Sequence, residues 1–157
     1  MIDLRPGSMA DAPAMELLLR QTDRHYYGRE KTAEGYATVL SDLFETGFSE
    51  TIIAWDGATP LGYAIYTILH PTDGVGGQMF MKELFVSPAA RGTGIGRTLL
   101  KRLGETARAR ACRRLDWTAD QENTRGIAFY EGLGAKRLAG RLYFRVTDLD
   151  TFIARCG

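Results

Sequence analysis

Apolar positions along the chain follow two periods, and the places where one gives way to the other divide it into strands and helices. Ile2–Pro6 reads as a short strand. Ser8, with Asp11 three residues on, carries a capping signal for an amphipathic helix through Met15, Leu18 and Leu19 that closes over Arg20–Gly28. Thr32 caps a second helix, whose apolar positions Tyr36, Val39, Leu40, Leu43 and Phe44 recur at helical spacing and end near Gly47. Thr51–Trp55 and Leu61–His70, rich in β-branched and aromatic residues, flank an Asp56-Gly57 turn and predict a hairpin. Beyond a Gly- and Pro-containing loop at Pro71–Gly77, Met79–Val86 predicts another strand and Arg113–Thr118 a further one. Between them Gly94–Arg110 predicts a long helix with Ile95, Leu99, Leu100 and Leu103 on one face. The pattern then recurs, with a short helix over Thr124–Leu133 ended by Gly134, a strand over Arg141–Val146 and a terminal helical turn over Leu149–Ala154.

The order β-α-α-β-β-β-α-β-α-β, without repeat or linker, predicts an α/β protein in the broad sense: one mixed, mainly antiparallel sheet with helices on both faces. At 157 residues and 45% hydrophobic, the chain can bury one substantial core, so a single domain over 1–157 is expected. Twenty Lys plus Arg against nineteen Asp plus Glu leave a net charge of +1 and no charged tail, which argues against a nucleic-acid partner. Thr51–Trp55 and Leu61–Leu69 fall well short of the ~20 apolar residues of a membrane-spanning helix. Asp3 and Arg5 interrupt the N-terminal apolar residues, and the two cysteines, Cys112 and Cys156, form no disulfide framework. A cytoplasmic protein with no membrane partner is the expectation.

Chemistry concentrates at Leu84-Phe85-Val86-Ser87-Pro88-Ala89-Ala90-Arg91-Gly92-Thr93-Gly94-Ile95-Gly96-Arg97, a strand that turns through a glycine loop into a helix. Glycines at 92, 94 and 96 let backbone amides approach a pyrophosphate, the helix aims its positive end at the same place, and Arg91 and Arg97 add charge. The loop lacks the Lys-[Ser/Thr] ending of a triphosphate loop and the spacing of a dinucleotide fingerprint, which leaves another diphosphate-bearing ligand.

Arg91-x-x-Gly94-x-Gly96, preceded by Leu84-x-Val86 and followed by Asn123, Tyr130 and Gly134-Ala135, resembles the GNAT superfamily of acetyl-CoA-dependent N-acetyltransferases, most closely over Met79–Ala135. Glu83-Leu84-Phe85-Val86, with Asp42–Phe48 upstream, looks like the diamine and thialysine N-acetyltransferase branch. The resemblance implies acetyl-CoA as co-substrate, with its pantetheine arm along Leu84, Phe85 and Val86 and its pyrophosphate over Arg91, Gly92, Thr93, Gly94, Ile95, Gly96 and Arg97. It implies contacts from Asn123 and Gly126 to the CoA arm, and Tyr130 as the acid that protonates the leaving thiolate. A phenol with pKa near ~10 can do this. The backbone N–H of Leu84 or Phe85 would polarise the thioester carbonyl. Glu83 is the candidate base, although strand alternation points Glu83 and Leu84 to opposite faces and leaves open which faces the pocket. The acceptor, a small-molecule primary amine, would meet His25, Tyr26, Asp116 and Trp117. Lys82 stands where polyamine-acetylating relatives carry a carboxylate, and a cation there disfavours spermidine and suits a zwitterionic amine. The family resemblance also implies a homodimer.

Plainer roles compete with these. A Tyr beside Phe129 on an apolar helix face is commonly core, His25 and His70 lack metal-ligand spacing, and no metal is expected. A non-catalytic acyl-CoA sensor and a protein or peptide N-acetyltransferase would share every cofactor residue and differ at the acceptor.

Overall fold

Among the described residues, five strands hydrogen-bond in chain order into one sheet: β1 (Ile2–Pro6), β2 (Glu50–Asp56), β3 (Thr59–Leu69), β4 (Gly77–Val86) and β5 (Cys112–Asp116). The first four are antiparallel to their neighbours, whereas β5 runs parallel to β4. The computed structural model describes residues 1–72 and 75–156, so the loop expected at Pro71–Gly77 lies partly outside the described residues. Among the described residues the helices are α1 (Ala12–Tyr27), α2 (Ala33–Glu45), α3 (Ile95–Ala109), α4 (Thr124–Glu131) and α5 (Leu149–Cys156). The chain divides into two compact units, Met1–Thr118 and Ala119–Gly157, and the first holds all five strands with α1–α3.

The expected capping signals are made. Ser8 N and Oγ both donate to the Asp11 carboxylate, at 3.1 and 3.0 Å, at the single 3-10 turn that opens α1. Thr32 Oγ1 accepts from Gly35 N at 3.1 Å at the start of α2. Strand alternation then sorts the core. Ile53, Trp55, Tyr63, Ile65 and Phe85 pack with Met15, Leu18 and Leu19 of α1 and Tyr36, Leu40 and Leu43 of α2. The intervening Ile52, Ala54, Ala64 and Tyr66, also buried, point to the opposite side of the sheet. There α3, which packs on β2–β5, presents its buried stripe Ile95, Leu99, Leu103 and Ala107.

One expected element does not form. Arg141–Val146 carries a strand pattern, but it forms no strand and is not part of the five-stranded sheet. A strand exists only as one side of a ladder, and this segment has no neighbouring strand among the described residues.

Candidate active site

β4 leads through Ser87 and a 3-10 turn at Pro88–Ala90 into the glycine loop and then α3. Gly92 and Gly94 take φ of 82° and 90°, a region that side chains with a Cβ enter only under strain. Gly94 is the N-cap of α3 and has no side chain to occupy the amides at the helix's positive end. Gly96 and Arg97 sit in the first turn of α3, with Arg97 exposed, and Thr93 Oγ1 braces the loop by donating to Ala90 O at 2.6 Å. Arg91 is anchored too: its Nε donates to Val86 O at 3.1 Å, and its guanidinium lies 5.7 Å from the Phe85 ring centroid.

The strand before the loop has an open edge. β5 pairs with β4 only over Gly77–Phe80, so among the described residues Met81–Val86 has its ladder partner on the β3 side alone. Ser87 N donates to Leu61 O at 2.8 Å, towards β3. Backbone N–H and C=O groups alternate sides residue by residue in an extended strand. Phe85 N–H therefore also points at β3, whereas those of Leu84 and Val86 point to the open edge. Of the two amides the sequence left as alternatives, Leu84 is the one turned to that edge.

A β-bulge settles the face of Glu83. Ile65 pairs with Glu83 but Tyr66 pairs with Met81, so Lys82 is the extra residue. Across a bulge the alternation shifts by one. Met79 and Met81 are buried opposite Ile68 and Tyr66, while Glu83 shares the α1/α2 face with Ile65, Tyr63 and Phe85. Burial raises the Glu83 carboxyl above the ordinary range and Asp23 pushes it the same way, against the opposing pull of the Tyr63 hydroxyl, Lys82 and Lys31. Tyr63, fully buried, is itself held far up by desolvation, and its hydroxyl shares a 2.9 Å hydrogen bond with Thr22 Oγ1.

Next to this group lies a second polar cluster that sequence reasoning missed. Asp23, 4% exposed, accepts from Lys31 Nζ at 2.7 Å on both oxygens and from the Tyr36 hydroxyl at 2.8 Å. Burial would raise the Asp23 carboxyl, but these hydrogen bonds and the Lys31 charge outweigh it and hold it low. A signal for both Thr22 and Asp23 was present, since they continue the stripe of Met15, Leu18 and Leu19 into positions where a helix of this kind buries apolar residues.

Gln21, Arg24 and His25 of α1 face Ser87, Pro88 and Ala89 across a cleft of about 440 Å³. His25 packs against Tyr26, with centroids 4.8 Å apart, and more distantly against Phe85 at 6.3 Å. Desolvation and then the Arg91 charge lower its pKa, which favours a neutral imidazole at neutral pH. Lys82 is exposed at the bulge. Asp116, at the end of β5, accepts from Arg114 Nε at 2.9 Å, and Trp117 is half-buried just beyond. Glu83, His25 and the loop residues thus belong to one body with the α1/α2 face.

Asn123, Gly126 and Tyr130 belong to the second unit. Asn123 caps α4, its Oδ1 accepting from Gly126 N at 2.9 Å. Tyr130 is half-buried with its ring 5.3 Å from that of Phe129, and its carbonyl accepts from Leu133 and Ala135 as the helix ends before Gly134. A Cβ at residue 126 would stand 2.5 Å from Asn123 Nδ2. Gly126→Ala should therefore displace the cap, a loss of about 1 kcal/mol that the better helix propensity of alanine largely offsets, so the thermal midpoint should change little, whereas Asn123→Ala, which loses the cap alone, should lower it. A raised midpoint in Gly126→Ala would mean that the Asn123 side chain swings clear without loss.

The sequence profile of the acetyltransferase (GNAT) family matches residues 14–135, and the chain belongs to that family. Thialysine N-epsilon-acetyltransferase from Caenorhabditis elegans is 35% identical over 79 residues, 50% of this chain and 49% of that protein. The chain thus spans about half the length of the curated relatives it matches. A solved integron cassette protein from the mobile metagenome of V. cholerae is 32% identical and superposes with a TM-score of 0.91 over 97% of both chains. An aminoglycoside N-acetyltransferase solved with CoA is 16% identical, with a TM-score of 0.76 over 94% of this chain and 95% of its own, and shares the fold. Among the described residues no helix is long and apolar enough to cross a membrane, and no group of three or more His, Cys, Asp or Glu could hold a metal ion.

Proposed function

We propose that the protein is an acetyl-CoA-dependent N-acetyltransferase acting on the primary amine of a small molecule by direct attack in a ternary complex. The observation that carries this reading is the open edge of β4 at Leu84–Val86, which runs straight into the Arg91–Gly96 loop at the head of α3. An amide-bearing pantetheine arm fits an unpaired strand edge, and a pyrophosphate fits a glycine loop at a helix N-terminus. Acetyl-CoA would supply a thioester whose carbonyl a neutral amine attacks and whose sulfur leaves as thiolate.

The chain's own groups divide the work. Leu84 N–H donates to the thioester oxygen as charge builds there. Glu83, with its raised pKa, takes the proton from the acceptor ammonium, and Tyr130 returns one to the thiolate. Asn123 caps its helix through Oδ1, which leaves its amide NH2 as the donor for the CoA arm. Lys82 favours an acceptor carrying a carboxylate near its amine, a reading supported by relatives whose name specifies thialysine.

CoA release from acetyl-CoA, measured with polyamines, amino acids, aminoglycosides and peptides, tests this reading. Amine-dependent turnover is expected, with a lysine-like amine preferred to spermidine, and Tyr130→Phe should lower kcat by about 10²-fold. CoA binding without turnover across the panel would turn the reading into that of an acyl-CoA sensor. A clear preference for spermidine would overturn the role of Lys82.

A further inference from the structure

A buried carboxyl can cycle as a base only if both of its protonation states find hydrogen-bond partners, since a state left unpaired bears the desolvation cost of a polar group. Glu83 has one neighbour suited to both. Tyr63 and Glu83 are diagonal neighbours on one face of adjacent antiparallel strands, because Ile65 pairs with Glu83 and Tyr63 with Phe85. The Tyr63 hydroxyl acts on the Glu83 carboxyl as a hydrogen-bond donor and opposes the effect of its burial. The same hydroxyl lies 2.9 Å from Thr22 Oγ1, where either oxygen can donate, and Thr22 Oγ1 lies 3.0 Å from Leu18 O. Thr22 and Tyr63 are both buried, so these hydroxyls find their partners inside the protein.

Each hydroxyl has a single proton to give, which leaves two complete arrangements. With Glu83 protonated, the carboxyl donates to Tyr63, Tyr63 to Thr22, and Thr22 to Leu18 O. With Glu83 ionised, Tyr63 donates to the carboxylate and Thr22 to Tyr63, while Leu18 O keeps the Thr22 N–H that the regular helix supplies. Neither arrangement strands a polar group, and passing between them needs only the rotation of two hydroxyls. Tyr63 keeps its proton throughout, because burial, first among the causes, pushes its pKa far above the ordinary phenol range.

We propose that Tyr63 is a positioning residue for acyl transfer: its hydroxyl donates to the Glu83 carboxylate while the base awaits substrate, and turns to Thr22 once Glu83 has taken a proton from the acceptor ammonium. In that step an N–H bond breaks, an O–H bond forms on Glu83, and the electron pair stays on the amine nitrogen for attack. No proton passes between Glu83, Tyr63 and Thr22. The inference rests on Glu83 being the base proposed above. The charges that act on the carboxyl come from Asp23 on α1, with its donor Tyr36 on α2, from Lys31 between the two helices and from Lys82 on β4, and Tyr26 acts on Tyr63. Removing the Tyr63 or Thr22 hydroxyl leaves every one of these charges in place, so a shifted titration reads hydrogen bonding.

Carbon-13 NMR titration of the glutamate carboxyls, with the Glu83 signal assigned by its absence in Glu83→Gln, tests this without substrate. Tyr63→Phe should move the Glu83 midpoint to higher pH, since the ionised form loses its donor. Thr22→Val should move it to lower pH, since the Tyr63 proton then has only the carboxylate to turn to. The double variant should titrate with Tyr63→Phe, because Thr22 reaches Glu83 only through Tyr63. The acid limb of kcat/KM should follow the same order. Should one single variant fail to fold, the sign of the other still decides. Midpoints that stay at the native value, or that shift in the same direction in both single variants, overturn the proposal whatever Glu83 does in catalysis. Midpoints that move as expected while the acid limb stays put, or a Glu83→Gln protein that keeps the limb, overturn the base itself, and Tyr63 loses its part in the reaction with it.

Discussion

Glu83→Gln is expected to lower kcat/KM by about 10²-fold while raising the thermal midpoint, two effects of opposite sign from one carboxylate. Both follow from its place on the α1/α2 face, where burial comes first among the causes that raise its pKa and Asp23 adds to it. As a base, Glu83 works only when ionised, so kcat/KM of the native protein should fall on the acid side at a pH above the ordinary glutamate range. The glutamine variant should lose that limb. For stability the sign runs the other way. A carboxyl whose folded pKa is raised contributes stability that is complete below its unfolded value and is lost as pH rises through the folded one. At neutral pH the native protein carries that loss and the glutamine, which does not titrate, is spared it. The variant's advantage should be seen at pH 7, at roughly 2–4 °C per kcal/mol for a chain of this size, and should vanish in acid. Thermal scans and pH–rate profiles on the same preparations check both. If activity falls but the midpoint falls with it, Glu83 is a structural hydrogen-bonding group and not a buried base.

The role of Glu83 shows where the sequence stops being legible. Its strand could be read from β-branched and aromatic residues, and the glycine loop from its motif, because both signals are local. Its face could not, because Lys82 is an extra residue in the ladder and shifts the alternation on which such a reading rests. The choice between the Leu84 and Phe85 amides likewise needed one long-range hydrogen bond, Ser87 to Leu61, to set the phase. Arg141–Val146 shows the converse: its alternation reads as a strand but none forms, because pairing depends on what lies beside a segment and not on its own residues. Tyr63 was simply an aromatic in a strand until its hydroxyl was seen to bridge towards Thr22 on α1, 41 residues away in sequence.

Asp23→Ala should be among the most destabilising single changes in the first unit, because the carboxylate is buried and two donors depend on it. Removing it leaves the hydroxyl of a fully buried Tyr36 without its acceptor and Lys31 without its counter-charge. Breaking a fully buried pair costs about 3–5 kcal/mol. The Lys31 side chain is 42% exposed and recovers water, so about 2–3 kcal/mol is the expectation here, with Asp23→Asn intermediate because its carbonyl can still accept from Tyr36. The pH dependence distinguishes this from a packing defect. A carboxyl held below its ordinary value stabilises the fold above that value and loses the contribution as pH falls through its folded pKa, so the gap between native and Asp23→Ala proteins should narrow in acid. The same change reaches the chemistry. The Asp23 charge helps to raise the Glu83 pKa, so in Asp23→Asn the acid limb of kcat/KM should move to lower pH. A limb that stays put while stability falls would separate the two clusters, leaving Asp23 with a purely structural part and Glu83 dependent on its own burial.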